Sequence, residues 1–140
     1  MLEFGFGPGA ATAGLLTAFP TAALFGVDRS AAMLAEATSR NRAAIAADRL
    51  RLVRGEAGEV SAFAPLDMIL AVHVICFWAD PVAPLEQLRA ALAPSGVLAL
   101  GLLLQSDIPA RARESFPQIG GRVYETEDDV RRVLHAAGFW

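Results

Sequence analysis

Leu2-Glu3-Phe4 runs directly into glycines at positions 5, 7 and 9, and a nearly all-apolar stretch from Ala10 to Phe19 follows. Glycines at alternate positions after an apolar strand permit positive φ and leave bare backbone for a ligand to lie against. A helix behind them points the positive end of its dipole at the same place. Pro20 ends that helix. Gly5-Phe6-Gly7-Pro8-Gly9-Ala10 also satisfies GxGxxG/A, a spacing found in dinucleotide sites and weak by itself. The plain alternative is a strand-to-helix turn that holds no ligand.

Short apolar runs alternate with amphipathic stretches along the remaining chain. Thr21 to Val27 reads as a strand closing on Asp28. Ser30 can cap a helix from Ala31 to about Ala47, with Met33, Leu34, Ala37 and Ala44 on its apolar stripe. Arg49 to Val53 reads as a strand ending at Arg54-Gly55-Glu56. Leu66 to Val74 is a continuous apolar run, as expected of a strand covered on both faces. Pro81 to Ala93 reads as a helix, Pro94-Ser95-Gly96 as a turn and Val97 to Leu104 as another fully apolar strand. Ser106 to Gly121 holds Pro109, Pro117 and Gly120 and reads mostly as loop, with a helical turn near Arg111. Thr126 can cap a last helix that Gly138 stops. This order calls for an α/β fold: a doubly wound, mostly parallel sheet with helices on both faces. Ligands bind such sheets beyond the carboxyl ends of the strands, where the glycine loop and Asp28 both fall.

Composition narrows the class. At 140 residues one domain is expected, and 54% apolar with 19% charged residues excludes a disordered chain. A net charge of -3 argues against a nucleic-acid binder, and one cysteine against a disulfide framework or a cysteine-rich zinc site. Mean hydropathy is +0.41, yet the longest uncharged apolar run, Met68 to Ala79, is shorter than the roughly 20 residues of a bilayer span. The first residues lack the basic and apolar regions of a signal peptide. A cytoplasmic protein without a metal site is expected.

Two details favour a nucleoside over a dinucleotide. Glu3 would repel a pyrophosphate but suits a cationic or amine-bearing ligand. Pro8 removes one N–H from any phosphate cradle. Asp28, about 20 residues beyond the loop, suits ribose hydroxyls in either case.

Leu2-Glu3-Phe4-Gly5-Phe6-Gly7-Pro8-Gly9 resembles the first motif of class I S-adenosylmethionine-dependent methyltransferases, an acid followed by GxGxG. Gly26-Val27-Asp28-Arg29-Ser30 with Met33-Leu34, then Gly55-Glu56-Ala57, Leu66-Asp67-Met68-Ile69 and Leu92-Ala93-Pro94-Ser95-Gly96-Val97-Leu98 are similar to later elements of that family, in the same order. The resemblance implies a Rossmann-like sheet of strand order 3-2-1-4-5, with S-adenosylmethionine as cofactor and a small-molecule methyl acceptor. It implies that Glu3 and the loop of Gly5, Phe6, Gly7, Pro8 and Gly9 lie near the cofactor's methionine part. Asp28 would take the ribose hydroxyls, Arg29 and Met33 would flank the adenine, and Gly55, Glu56 and Ala57 would meet its edge. His73 would border the methionine moiety and the acceptor. The family's helices before the first strand and its sixth and seventh strands are expected to be missing, with Phe139-Trp140 starting the sixth. The strand over 97–104 would then be a bare apolar edge open to self-association.

His73 is the only candidate base for a hydroxyl acceptor, against a plain reading as a structural histidine at a strand end. Cys76 reads as apolar filler. Phe77, Trp78 and Asp80-Pro81 would either wall an acceptor pocket or pack beneath the next helix. A nicotinamide-dependent oxidoreductase and a non-catalytic methyltransferase-like fragment remain the alternatives.

Overall fold

Parallel strands need crossovers, and this chain places a helical segment between each consecutive pair of strands. A computed structural model describes residues 1–118 and 120–140. The strands β1 (Leu2–Phe4), β2 (Leu24–Asp28), β3 (Leu50–Arg54), β4 (Leu66–Val72) and β5 (Leu92–Gly101) form one sheet in the order β3-β2-β1-β4-β5, every pairing parallel. Helix α1 (Ala10–Ala18) joins β1 to β2; α2 (Ala31–Arg40) and α3 (Arg42–Ala46) join β2 to β3. A 3-10 segment, Ala57–Phe63, leads to β4, and α4 (Val82–Ala91) leads to β5. Helices α5 (Ala110–Gln118) and α6 (Glu127–Ala136) follow. Strand order reverses between β1 and β4, so the sheet opens a crevice there.

Side chains alternate across β1 and so divide the two faces. Leu2 and Phe4 join the main core with Val27, Ile69, Leu85, Leu88 and Val130, beneath α4 and α6. Glu3 points the other way, towards α1, where the Thr12 hydroxyl donates to its Oε2 at 2.5 Å. Helix α6 starts as the sequence predicts: the Asp129 N–H donates to Thr126 Oγ1 (3.2 Å), and the Thr126 N–H donates to Asp129 Oδ2 (2.8 Å).

Several boundaries differ from the sequence reading. The helix expected over 31–47 breaks at Asn41, whose buried amide donates to the carbonyls of Gly9 (3.1 Å) and Ala37 (3.0 Å). Strand β2 starts at Leu24 rather than Thr21, and β4 ends at Val72 because His73 takes a positive φ of 55°. The Pro94-Ser95-Gly96 turn lies inside β5 as an irregularity. Pairing shifts between Leu66↔Leu92 and Met68↔Val97, and the strand ends at Gly101, not Leu104. The expected loop after Ser106 contains α5; Pro109 supplies a fixed φ and its carbonyl accepts from the N–H groups of Ala112 and Arg113. Residue 119 of that predicted loop lies outside the described residues. Phe139 and Trp140 form no strand; the Phe139 N–H donates back to the Leu134 carbonyl. Strand β5 is a sheet edge, with Val97 55% exposed. Among the described residues no helix is long and apolar enough to cross a membrane, and no three potential ligands are grouped to hold a metal ion.

Candidate functional site

The carboxyl ends of β1 to β4 surround a cavity of about 360 Å³. Gly5 and Gly7 line it from the loop after β1. Asp28, Arg29 and Met33 line it from the end of β2 and the start of α2, Gly55 and Glu56 from the end of β3, and His73 from beyond β4. Residues 55, 28 and 7 are distant in sequence, and a short network holds them together. The Gly5 N–H donates to the Val27 carbonyl (2.7 Å), the Gly55 N–H to the Asp28 carbonyl (3.0 Å), and Arg54 Nε to the Arg29 carbonyl (3.1 Å).

Asp28 is the centre of this arrangement. Its Oδ2 accepts from the Gly7 N–H and its Oδ1 from the Ser30 N–H, both at 2.8 Å. A carboxylate has about four lone-pair sites, so each oxygen keeps capacity for one more donor. Two neighbouring hydroxyls, as on a ribose, match that remaining capacity.

The loop is poorly equipped for a pyrophosphate. The N–H groups of Gly5 and Gly7 are committed as above, that of Gly9 donates to the Phe6 carbonyl (3.0 Å), and Pro8 has none. Gly7, at φ +51°, has no heavy atom within 4 Å of where a β-carbon would stand, so bare backbone does face the cavity.

Five residues read as cofactor contacts do not line the cavity. Glu3 is buried behind the loop against Thr12. Burial pushes its carboxyl up from the usual range; the Thr12 hydrogen bond opposes this and the nearby Asp28 charge adds to it. Phe6 is buried and packs so closely over Gly26 that a β-carbon there would lie 2.8 Å from the ring. Gly9 packs against α2, and the Pro8 carbonyl accepts from Arg40 Nε (2.9 Å). Ala57 is buried at the start of the 3-10 segment. The spacing of the motif carries no sign of which glycine faces a ligand and which faces a helix.

Conversely, the cavity recruits residues not assigned to the cofactor. Phe4, Ser30, Val72 and Val74 line it, as do Phe77 and Trp78. Trp78 stands 5.7 Å from the Phe4 ring and packs against the core, and Arg29 lies 6.0 Å over Phe77 at the cavity. Aromatics directly after an apolar strand were the available signal.

Comparison with known proteins names the fold. A methyltransferase-domain family model matches residues 2–98. The chain belongs to the class I S-adenosylmethionine-dependent methyltransferases. It is 36% identical over 104 residues to a trans-aconitate 2-methyltransferase of Variovorax paradoxus (strain S110), a match spanning 71% of this chain and 37% of that one. The solved mitomycin 7-O-methyltransferase MmcR superposes with a TM-score of 0.79 at 24% identity, covering 98% of this chain and 42% of its own. The O-methyltransferase NcsB1 from neocarzinostatin biosynthesis, solved with S-adenosylmethionine and 2-hydroxy-5-methyl naphthoic acid, gives 0.79 at 20% identity over 98% and 42%. These two show the shared fold. The chain spans about two-fifths of the length of the curated relatives it matches.

Proposed function

We propose that the cavity binds S-adenosylmethionine and that the chain serves methyl transfer to a small-molecule acceptor by in-line displacement. The observation that carries this is the Asp28 carboxylate, pinned by the Gly7 and Ser30 N–H groups beside an unobstructed glycine. The donor set fits the group: carboxylates at Asp28 and Glu56, an apolar wall at Met33 and Phe77, and no free N–H among Gly5, Gly7 and Gly9 for a phosphate. The bound cofactor supplies a methyl group on a sulfonium, already a good leaving group, so the protein's task is chiefly alignment. Asp28 orients the ribose end, Arg29 and Phe77 confine the base, and His73 borders the methyl.

Calorimetry with S-adenosylhomocysteine and NADH tests this reading. Binding of the former alone is expected, and Asp28→Ala should weaken it at least tenfold. Unchanged affinity in Asp28→Ala, or tighter binding of NADH, refutes the assignment. Trans-aconitate, the acceptor in the curated relatives' names, is one acceptor to supply in a transfer assay; robust binding without transfer to any acceptor favours the non-catalytic reading. The free β5 edge with exposed Val97 supports self-association of this chain. A monodisperse monomer in light scattering would contradict it.

A further inference from the structure

Glu3 is 3% exposed and does not line the cavity, yet it stands two residues from Gly5, which does. Two residues of extended chain span about 7 Å, so a ligand resting on Gly5 lies within electrostatic reach of the Glu3 carboxyl. The groups packed around this acid supply no countercharge. Beside it in the sheet stand Gly26 of β2 and Leu70 of β4. The one titratable residue of β2 is Asp28, an acid, and Asp67 of β4 alternates to the opposite face. Helix α1 carries no charged residue and offers the Thr12 hydroxyl, which donates to Glu3 Oε2. The glycine loop carries none either. The cation that touches the loop, Arg40, is exposed, donates through Nε to the Pro8 carbonyl and pairs with Glu36 at 3.4 Å. Arg49 donates to the Leu16 and Phe19 carbonyls at the far end of α1, and the Met1 amino group donates to the Ala23 carbonyl. Among the described residues, none pairs with Glu3 as a cation.

We propose that Glu3 is a specificity determinant for the charge on the cofactor's sulfur, favouring the sulfonium of S-adenosylmethionine over the neutral thioether of S-adenosylhomocysteine and changing its own protonation when one replaces the other. The proposal rests on the reading of the cavity as the cofactor site. The two ligands share adenine, ribose and amino-acid end, so their contacts with Asp28 and Glu56 cancel in a comparison. They differ by one methyl group and one positive charge. A unit charge about 10 Å away, across protein of effective dielectric about 20, changes a binding constant on the order of tenfold. Burial and the Asp28 charge push the Glu3 carboxyl up, against the Thr12 hydrogen bond, so the empty protein holds part of it neutral above its ordinary range. A sulfonium in the cavity supplies the missing countercharge and drives the carboxyl towards its ionised form, with release of a proton to solvent. The coupling is reciprocal: ionised Glu3 raises sulfonium affinity by the factor by which the sulfonium lowers proton affinity. Once the methyl has left, sulfur is neutral and Glu3 takes a proton back. S-adenosylhomocysteine is then held without that attraction, which favours its exchange for fresh donor.

The test is the ratio of S-adenosylmethionine to S-adenosylhomocysteine affinity, measured by calorimetry on the full chain from about pH 5 to about pH 8, above the ordinary carboxyl range. In wild type the ratio should rise with pH on the order of tenfold, because Glu3 ionises in that direction. At the acid end, S-adenosylmethionine should release more protons than S-adenosylhomocysteine, read from heats in buffers of different ionisation enthalpy. Glu3→Gln, uncharged and of similar size, should flatten the ratio. Thr12→Val removes the hydroxyl that favours the ionised carboxyl and should move the rise to higher pH. A wild-type ratio constant with pH, the same rise in Glu3→Gln, or a rise moved to lower pH in Thr12→Val overturns the proposal while the cofactor site stands. Wild type and Thr12→Val decide the matter by themselves should Glu3→Gln fail to fold. Failure of wild type to bind either ligand overturns the cofactor reading and this proposal with it.

Discussion

Replacing Gly7 and Gly9 separately by alanine should expose two different functions inside one motif. Both residues have positive φ, +51° and +78°. Forcing an L-residue into that region costs roughly 1–2 kcal/mol in either case. The surroundings then part company. A β-carbon at Gly7 meets no heavy atom within 4 Å, whereas at Gly9 it would stand 2.7 Å from Asn41 Nδ2, 2.8 Å from Ala37 Cβ and 2.9 Å from Ala37 Cα. The last is backbone of α2 and yields only if α1 and α2 separate, which would also break the Asn41 hydrogen bond to the Gly9 carbonyl. Overpacking of this kind costs about 1–3 kcal/mol more. Gly9→Ala should therefore lower stability by about 2–5 kcal/mol and Gly7→Ala by about 1–2. With a urea slope of about 1–3 kcal/mol per molar, the midpoints should differ by about 1 M. Calorimetry with S-adenosylhomocysteine should reverse the order, because only the Gly7 methyl projects towards the cavity: at least tenfold weaker binding for Gly7→Ala, and near-normal affinity for folded Gly9→Ala. Equal urea midpoints would refute the packing argument, and equal affinities would refute the division of labour.

Glu3→Gln should change how stability depends on pH. Burial raises the Glu3 pKa above its unfolded value of 4.5, so between 4.5 and the raised folded value the native state holds more proton than the unfolded one. Wild-type stability relative to Glu3→Gln should be greatest below pH 4.5 and fall as pH climbs through that window, leaving the variant at least as stable at neutral pH. Denaturant titrations at several pH values check this; a wild-type advantage that grows with pH would show the sign to be wrong. Thr126→Ala removes the hydroxyl that caps α6 and should cost about 1 kcal/mol, read as a lower thermal midpoint. Thr126→Ser should recover most of it.

The sheet was legible in the sequence because its strands are short, apolar and separated by helical patterns. Strand identity and order survive, and errors gather at boundaries where a tertiary contact competes with a local pattern. The helical periodicity over 31–47 is genuine, but it is interrupted at the single residue Asn41, whose side chain makes two hydrogen bonds, one of them to Gly9, 32 residues away. Helix α5 is longer than the helical turn expected near Arg111 because Pro109 and Pro117 suggest loop, whereas proline is tolerated at a helix start and Pro117 falls in the last turn. The site was legible to a similar degree. Eight of thirteen candidate positions reach the cavity, since strand-end residues are placed by register alone.

By itself the sequence determined the class of fold, the crevice where chemistry can occur and the presence there of an acid, glycines and a histidine. These follow from local periodicity and from the rule that parallel sheets bind at their carboxyl ends. Only the tertiary structure decided which way each residue turns. Glu3 faces α1 while Phe4 faces the core, Gly7 opens to the cavity while Gly9 supports α2, and His73 joins a cavity whose walls come from distant segments. A motif records spacing along the chain, whereas the neighbours across a strand, helix or cavity come from residues it does not contain.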